Sequence, residues 1–399
     1  MTFMHTSDFQ LAVDLARGLH QAGAPSWRVE HGVEALGRAT GRSFTCFAVP
    51  TGLHITDGDR VVLIKATGGD VDLTAQHALE RTVRAPAPRA ALRHTLAALD
   101  RRPAVLAPTI VLAHTALGTG AGLLLDGQIG TAVGGGLGGL VTGLLAVRAS
   151  RGEGDTSRAS PLLASLASTL LAPVPLLLGL PTSPAVAALC GILYLLPGLS
   201  LTIGVGEVAA GHSSAGAARL TTAAVLLLLL GLGMAAGDAF PVATATATTD
   251  RVIGAAPLGL WLTIGSLGLL FRARRTQLPW VAAGITLSWA LPTLLAVHGP
   301  TMAAFLTAAL LGVAGNLLHR HNRMPPQVLT LPGILMLVPG GSSLRAVGAL
   351  LRHDLLGIEI LADSIATAGA LVAGLLVAGL ALPPSLRSGD GPAAAQPGG

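Results

Sequence analysis

From residue 103 to residue 382 the chain consists of apolar runs separated by short polar clusters, whereas the first 102 residues mix apolar and polar positions as a water-exposed domain does. A helix of about 20 apolar residues crosses the ~30 Å hydrocarbon core of a bilayer. Ten runs are read as spans: 105–125, 129–147, 161–180, 185–203, 217–237, 253–271, 279–297, 300–318, 327–343 and 359–382, the fourth and ninth being the least regular. The fold class expected is an α-helical membrane protein of about ten transmembrane helices, carrying a small N-terminal α+β domain.

Within residues 1–85, Leu11, Leu15 and Leu19 recur every four residues and predict a helix from Asp8 to about Gln21. Pro25 opens a second helix that runs through Val29, Val33 and Leu36 to Gly41. Ser43 to Val49 and Arg60 to Thr67 are rich in β-formers, and Asp57-Gly58 between them predicts a hairpin. Asp72 is expected to cap a third helix reaching about Arg84. Ala85-Pro86-Ala87-Pro88 reads as a linker, and residues 86–102 as a basic juxtamembrane helix, with Leu92, Leu96 and Leu99 on lipid and Arg89, Arg93, Arg101 and Arg102 in water. The remaining divisions are a first five-helix membrane repeat (103–240), a second (251–384) and a disordered tail (385–399).

Composition agrees with that division. Only 11% of the residues are charged and 51% are hydrophobic, against the roughly 25% charged of a soluble domain, and the mean hydropathy is +0.66. The first forty residues hold Asp8, Asp14, Arg17, Arg28, Glu30 and Arg38 and no uninterrupted apolar stretch, so no signal peptide is expected and the N-terminal domain stays where it is made. With residues 1–102 in the cytoplasm, the loops carrying Arg148, Arg151 and Arg158, then Arg272, Arg274 and Arg275, then Arg320 and Arg323 all fall inside, as the positive-inside rule requires. Arg345 and Arg352 are the exceptions. The net charge of +5 comes without a basic stripe interleaved with aromatics, so no nucleic-acid partner is expected. Cys46 and Cys190 have no CxxC pairing and read as small buried hydrophobes; no metal or other cofactor is expected.

Residues 191–200, GILYLLPGLS, and 333–342, GILMLVPGGS, are identical at seven of ten positions and fall in the fourth and ninth spans, equivalent places in two five-span halves. An odd number of spans per half turns the second half upside down, the plan of many secondary transporters. Proline breaks a helix and the following glycine lets the chain turn, so Pro197, Gly198, Pro339 and Gly340 predict interrupted spans, with Ser200 and Ser342 capping the resumed half-helices. A half-helix N-terminus inside the membrane suits a carboxylate. The plain alternative is a pair of kinks. Asn316, late in the eighth span, is read either as a substrate contact or as an interhelix hydrogen bond. Ionisable groups in spans are functional candidates by default. Glu207 is a candidate proton carrier or a headgroup-level carboxylate paired with Arg219. Asp363 is either a second carrier or a partner for Arg345 or Arg352, and His114 either a relay or a helix-to-helix hydrogen bond. Gly134-Gly135-Gly136 and Gly138-Gly139 lack the lysine and strand of a phosphate loop and predict close helix packing.

The stretches PGLSLTIGVGEVAAGHSSAGAARL (197–220) and LPGILMLVPGGSSLRAV (331–347), with GAPSWRVEHGVEALGRATG and AVPTGLHIT near the N-terminus, resemble the bacterial threonine/serine exporter family over essentially the whole chain. The resemblance implies export of threonine, serine or similar small metabolites driven by the proton motive force across the bacterial inner membrane, with the substrate, protons and the bilayer as partners; homo-oligomerisation stays open. Related two-polypeptide systems imply dicarboxylates such as succinate as the alternative. The sequence departs from the family at Glu207, where aspartate is expected. A rival from another class is a membrane-anchored enzyme whose N-terminal domain uses Thr51, His54 and Asp57 in a hydrolase-like site, although alternation along a strand points these side chains in different directions. A channel is a third reading.

Overall fold

The computed structural model describes residues 7–66, 68–83, 85–151, 155–240, 254–322, 324–337, 340–351 and 354–382. The N-terminal part holds α1 (Asp8–Gln21), α2 (Ser26–Thr40), β1 (Thr45–Val49), β2 (Gly52–Thr56), β3 (Val61–Lys65), α3 (Leu73–Val83) and α4 (Pro88–Asp100). Ser7 caps α1, its hydroxyl accepting from the Gln10 N–H, and Gly41 ends α2 in the left-handed region at φ 70°. The expected hairpin is a three-stranded antiparallel sheet in the order β1-β2-β3. The segment between the two expected strands forms β2, pairing Phe47 with His54 and His54 with Leu63.

One core fills this domain: Leu15 and Leu19 of α1, Val33 and Leu36 of α2, Leu53 and Ile55 of β2, Leu79 of α3 and Leu92 of α4. Removing each large aliphatic side chain from water contributes about 1.5–3 kcal/mol. Leu96 and Leu99 of α4 pack on the same core. The apolar face of α4 therefore covers protein, where the sequence placed it on lipid.

The remainder is helical: α5 (Ala107–Leu125), α6 (Ile129–Arg151), α7 (Asp155–Leu171), α8 (Val174–Leu177), α9 (Pro184–Gly191), α10 (Gly198–Ala209), α11 (Ser213–Asp238), α12 (Ala255–Leu270), α13 (Leu278–Leu294), α14 (Pro300–Asn322), α15 (Gln327–Leu337), α16 (Gly340–Leu351) and α17 (Leu356–Ala381). Among the described residues, seven helical stretches are long and apolar enough to cross a membrane, and the pair α9–α10, bent by 60°, makes up to eight. The sixth and seventh expected spans are the shorter apolar helices α12 and α13, of 16 and 17 residues. Leu144, Leu228, Trp261, Leu310 and Leu380 stand exposed on the outside, a surface suited to lipid rather than water.

Inside this multi-pass unit small residues set the helix spacing, since apolar side chains gain nothing from leaving lipid. Gly118 of α5 faces Gly135 of α6 so closely that a Cβ on Gly118 would lie 2.1 Å from the Gly135 carbonyl oxygen, and Gly139 meets the His114 carbonyl in the same way. The glycine run thus serves helix packing.

The helix pairings occur twice. Contacts α5–α6, α6–α7, α6–α9, α7–α9, α7–α11 and α10–α11 have counterparts in α12–α13, α13–α14, α13–α15, α14–α15, α14–α17 and α16–α17. The duplicated glycines take part: Gly191 packs on Gly138 of α6, and Gly333 on Gly284 of α13. Between the halves, α5 packs on α12, α10 on α17 and α11 on α16.

Candidate functional site

The break in the fourth span is built by Ile192 to Pro197. A short 3-10 turn, Leu193–Leu195, separates α9 from α10, and Pro197 stands at the N-cap of α10 with its carbonyl accepting from the Leu201 N–H at 2.8 Å. Gly198 is the buried first residue of α10. Ser200 lies inside the first turn, and the N-cap has no side-chain hydrogen bond, so the capping role expected of Ser200 is not realised. In the second copy, Pro339 lies outside the described residues and Gly340 begins α16. The hydroxyl of Ser342 accepts from Ser364 of α17 at 2.9 Å, tying α16 to its neighbour. Asn316 donates from Nδ2 to the Leu382 carbonyl at 2.8 Å, which fastens α14 to the end of α17.

The three candidate proton carriers sit apart from one another along the fold. His114 is buried in α5; its Nδ1 faces the Ile110 carbonyl at 2.8 Å and its ring stands edge-on to Tyr194, 5.2 Å between centroids, beside the break. Asp363 is exposed on α17. Glu207, near the end of α10, is 1% exposed, and both carboxylate oxygens are engaged. Oε2 meets Arg219 Nε of α11 at 2.9 Å, the partner the sequence named. Oε1 accepts from the backbone N–H of Ser26 at 2.9 Å, at the first turn of α2 in the N-terminal domain. A carboxylate there satisfies an otherwise unpaired helix N–H and complements the helix dipole. His212 beside it reaches Glu30 of α2, 3.3 Å between Nδ1 and Oε2.

A second seat joins the N-terminal domain to the other half. Asp72 caps α3, its Oδ1 accepting from the Ala75 N–H at 2.7 Å, while Oδ2 lies 3.4 Å from Arg102 and 3.6 Å from Arg272. The Leu73 N–H donates to the Phe271 carbonyl at 3.0 Å, and the Thr74 hydroxyl to the Arg272 carbonyl at 2.6 Å. Gln277, 1% exposed, donates to the Leu73 carbonyl at 3.4 Å. Arg272 is the one non-glycine residue with positive φ among the described residues, at 50°. Val71 and Leu73 enter an apolar cluster with Leu117, Tyr194, Phe271 and Leu331, which belong to both halves. Sequence reasoning had no signal for this seat beyond the cap at Asp72.

The hydrolase-like constellation does not assemble. His54 lies on the exposed face of the sheet against Phe47, and Asp57 is taken up by Arg60, 3.0 Å from Nη2.

Between the halves a cavity of about 730 Å³ is walled by α7, α9, α11, α16 and the start of α17. Its lining is mostly apolar, with three charged residues: Arg345 of α16, Asp238 of α11 and Asp354. Asp354 also accepts from the Leu356 N–H at 3.0 Å. Arg345, an exception to the arginine pattern in the sequence, makes no ion pair or hydrogen bond with a described residue. The volume is that of a small-molecule pocket, mostly apolar with a few polar groups.

A family model described as putative threonine/serine exporter matches residues 10–240, and one described as threonine/serine exporter, ThrE, matches residues 258–382. The chain belongs to the threonine/serine exporter family. The first match takes in the N-terminal domain together with α5 to α11, and the second takes in α12 to α17. No curated protein and no solved structure matches the chain.

Proposed function

We propose that this exporter moves threonine, serine or similarly small amino acids out of a bacterial cell across its inner membrane, driven by the proton motive force, through two five-span halves of opposite orientation. The duplicated helix pairing carries this reading. A two-fold operation that exchanges the halves pairs α5 with its counterpart α12 and turns α10–α17 into α16–α11, which are the contacts found. Two halves so related can exchange roles as the site opens to either side. The N-terminal domain is then cytoplasmic. Counterflow in proteoliposomes tests the reading: vesicles preloaded with threonine or serine accumulate labelled substrate, and an absence of uptake across an amino-acid and dicarboxylate panel overturns it.

The cavity at Arg345 supports an amino acid over a dicarboxylate. One guanidinium can hold the α-carboxylate, and the carboxylates of Asp238 and Asp354 suit the ammonium group. A dianion would meet two like charges there. Hydrogen bonds to charged groups contribute about 1.5–3 kcal/mol, so Arg345→Gln is expected to raise the KM for threonine roughly tenfold to a hundredfold. Arg345→Lys restores part of the loss, because it keeps the charge without the planar fork. An unchanged KM removes Arg345 from the substrate path.

Asp363, His114 and Glu207 remain the proposed proton-coupling residues, and the broken span at Pro197, Gly198 and Ser200, with Pro339, Gly340, Ser342 and Asn316, the proposed substrate-facing set. Neutralising a coupling carboxylate spares exchange and abolishes proton-driven accumulation.

A further inference from the structure

We infer that the N-terminal domain is an intrachain clamp that holds one mouth of the exporter shut, and that transport requires it to leave at least one of its two seats. The inference rests on the export reading above. The first seat belongs to the first half: the buried Glu207–Arg219 pair holds the Ser26 N–H, and His212 holds Glu30. The second belongs to the second half: the Phe271 and Arg272 carbonyls and Gln277 hold Leu73 and Thr74. Two halves that rock against each other cannot both keep their bonds to one rigid domain, so the seated domain stabilises a single conformation.

The wedge formed by Val71 and Leu73 sits where this matters. It packs among Tyr194 at the break of the fourth span and Phe271 and Leu331 of the second half, filling the seam with apolar side chains. A filled seam leaves no path for a polar amino acid. Three observations make the seat releasable. The hydrogen bonds that cross the second seat are made by backbone, hydroxyl and amide groups, which water replaces at little net cost. The ion pair that crosses it, Asp72 to Arg272 at 3.6 Å, has its guanidinium largely exposed to solvent and contributes little. A charged cleft of about 1290 Å³, lined by Asp14, Arg17, Asp70, Asp100, Arg272 and Arg274, runs along the joint and lets solvent reach it.

The experiment uses the full chain with Cys46 and Cys190 replaced by alanine, reconstituted in proteoliposomes. One variant carries Thr74→Cys and Gln277→Cys, a second Glu30→Cys and His212→Cys, and a third all four, each bridged by a short reducible bis-methanethiosulfonate. Closing both seats is expected to stop threonine counterflow, and reduction to restore it. Each single closure then reports which seat opens. Full counterflow with both seats bridged overturns the clamp. A parallel readout does not depend on transport: with Tyr194→Cys added, position 194 is expected to react with a hydrophilic maleimide in the reduced protein and to be protected once both seats are bridged. Equal labelling in the two states also overturns the clamp, whereas reduced protein that labels but transports nothing overturns the export reading alone.

Discussion

Glu207→Ala is expected to be among the most damaging single substitutions in the chain. It leaves the Arg219 guanidinium, whose side chain is 18% exposed, without its partner, and the Ser26 N–H without its acceptor. Removing one member of a buried ion pair costs about 3–5 kcal/mol. The loss is expected as a lowered melting temperature of the detergent-solubilised protein and as faster release of the N-terminal domain by limited proteolysis at the 101–106 connection between α4 and α5. Arg219→Ala in the same background adds little further loss, because the two residues act as a unit. Glu207→Gln divides docking from proton coupling: it keeps an oxygen for Ser26 and the volume, and removes the charge. Normal exchange with no proton-driven accumulation assigns Glu207 to coupling. Faster proteolysis together with altered exchange assigns it to docking.

The second large effect is expected at Gly118. A methyl group there would lie 2.1 Å from the Gly135 carbonyl oxygen and 3.3 Å from that of Cys190, and neither backbone atom can rotate away as a side chain can. Overpacking commonly costs about 1–3 kcal/mol, and a contact between two helix backbones belongs at or above the upper end of that range. Gly118→Ala is therefore expected to force α5 from α6 and to cut the yield of monodisperse protein sharply. Gly265→Ala on α12 is the control, since a Cβ there meets nothing within 4 Å, and its melting temperature is expected to match the parent. Equal behaviour of the two variants would falsify the close-packing role of Gly118.

The local elements were legible in the sequence. Period-four leucines placed α1 from Asp8 to about Gln21, the bounds found. The duplicated GILxLxPG segments marked the break at Ile192 to Pro197, because proline and glycine act on the backbone wherever they stand. The strand β2 was missed: its five residues follow directly on Pro50-Thr51, and a strand that short is recognised by its partners on either side, not by its own pattern. The face of α4 was seen correctly as apolar but assigned to lipid, since periodicity gives the face and not what covers it.

Glu207 marks the boundary most clearly. The sequence by itself determined that an ionisable side chain near a membrane span needs a reason, and it offered Arg219 as a candidate partner. It also determined the apolar runs, the N-terminal domain and the repeat, all consequences of composition and spacing along the chain. Only the tertiary structure decided that the other carboxylate oxygen holds the first turn of a helix 181 positions away, that Val71 and Leu73 fill a seam between the halves, and that Arg345 faces a cavity. Hydrophobic length and backbone preference are local quantities and can be read one segment at a time. The partner of a buried charge is settled by how the whole chain packs, and no single segment carries that information.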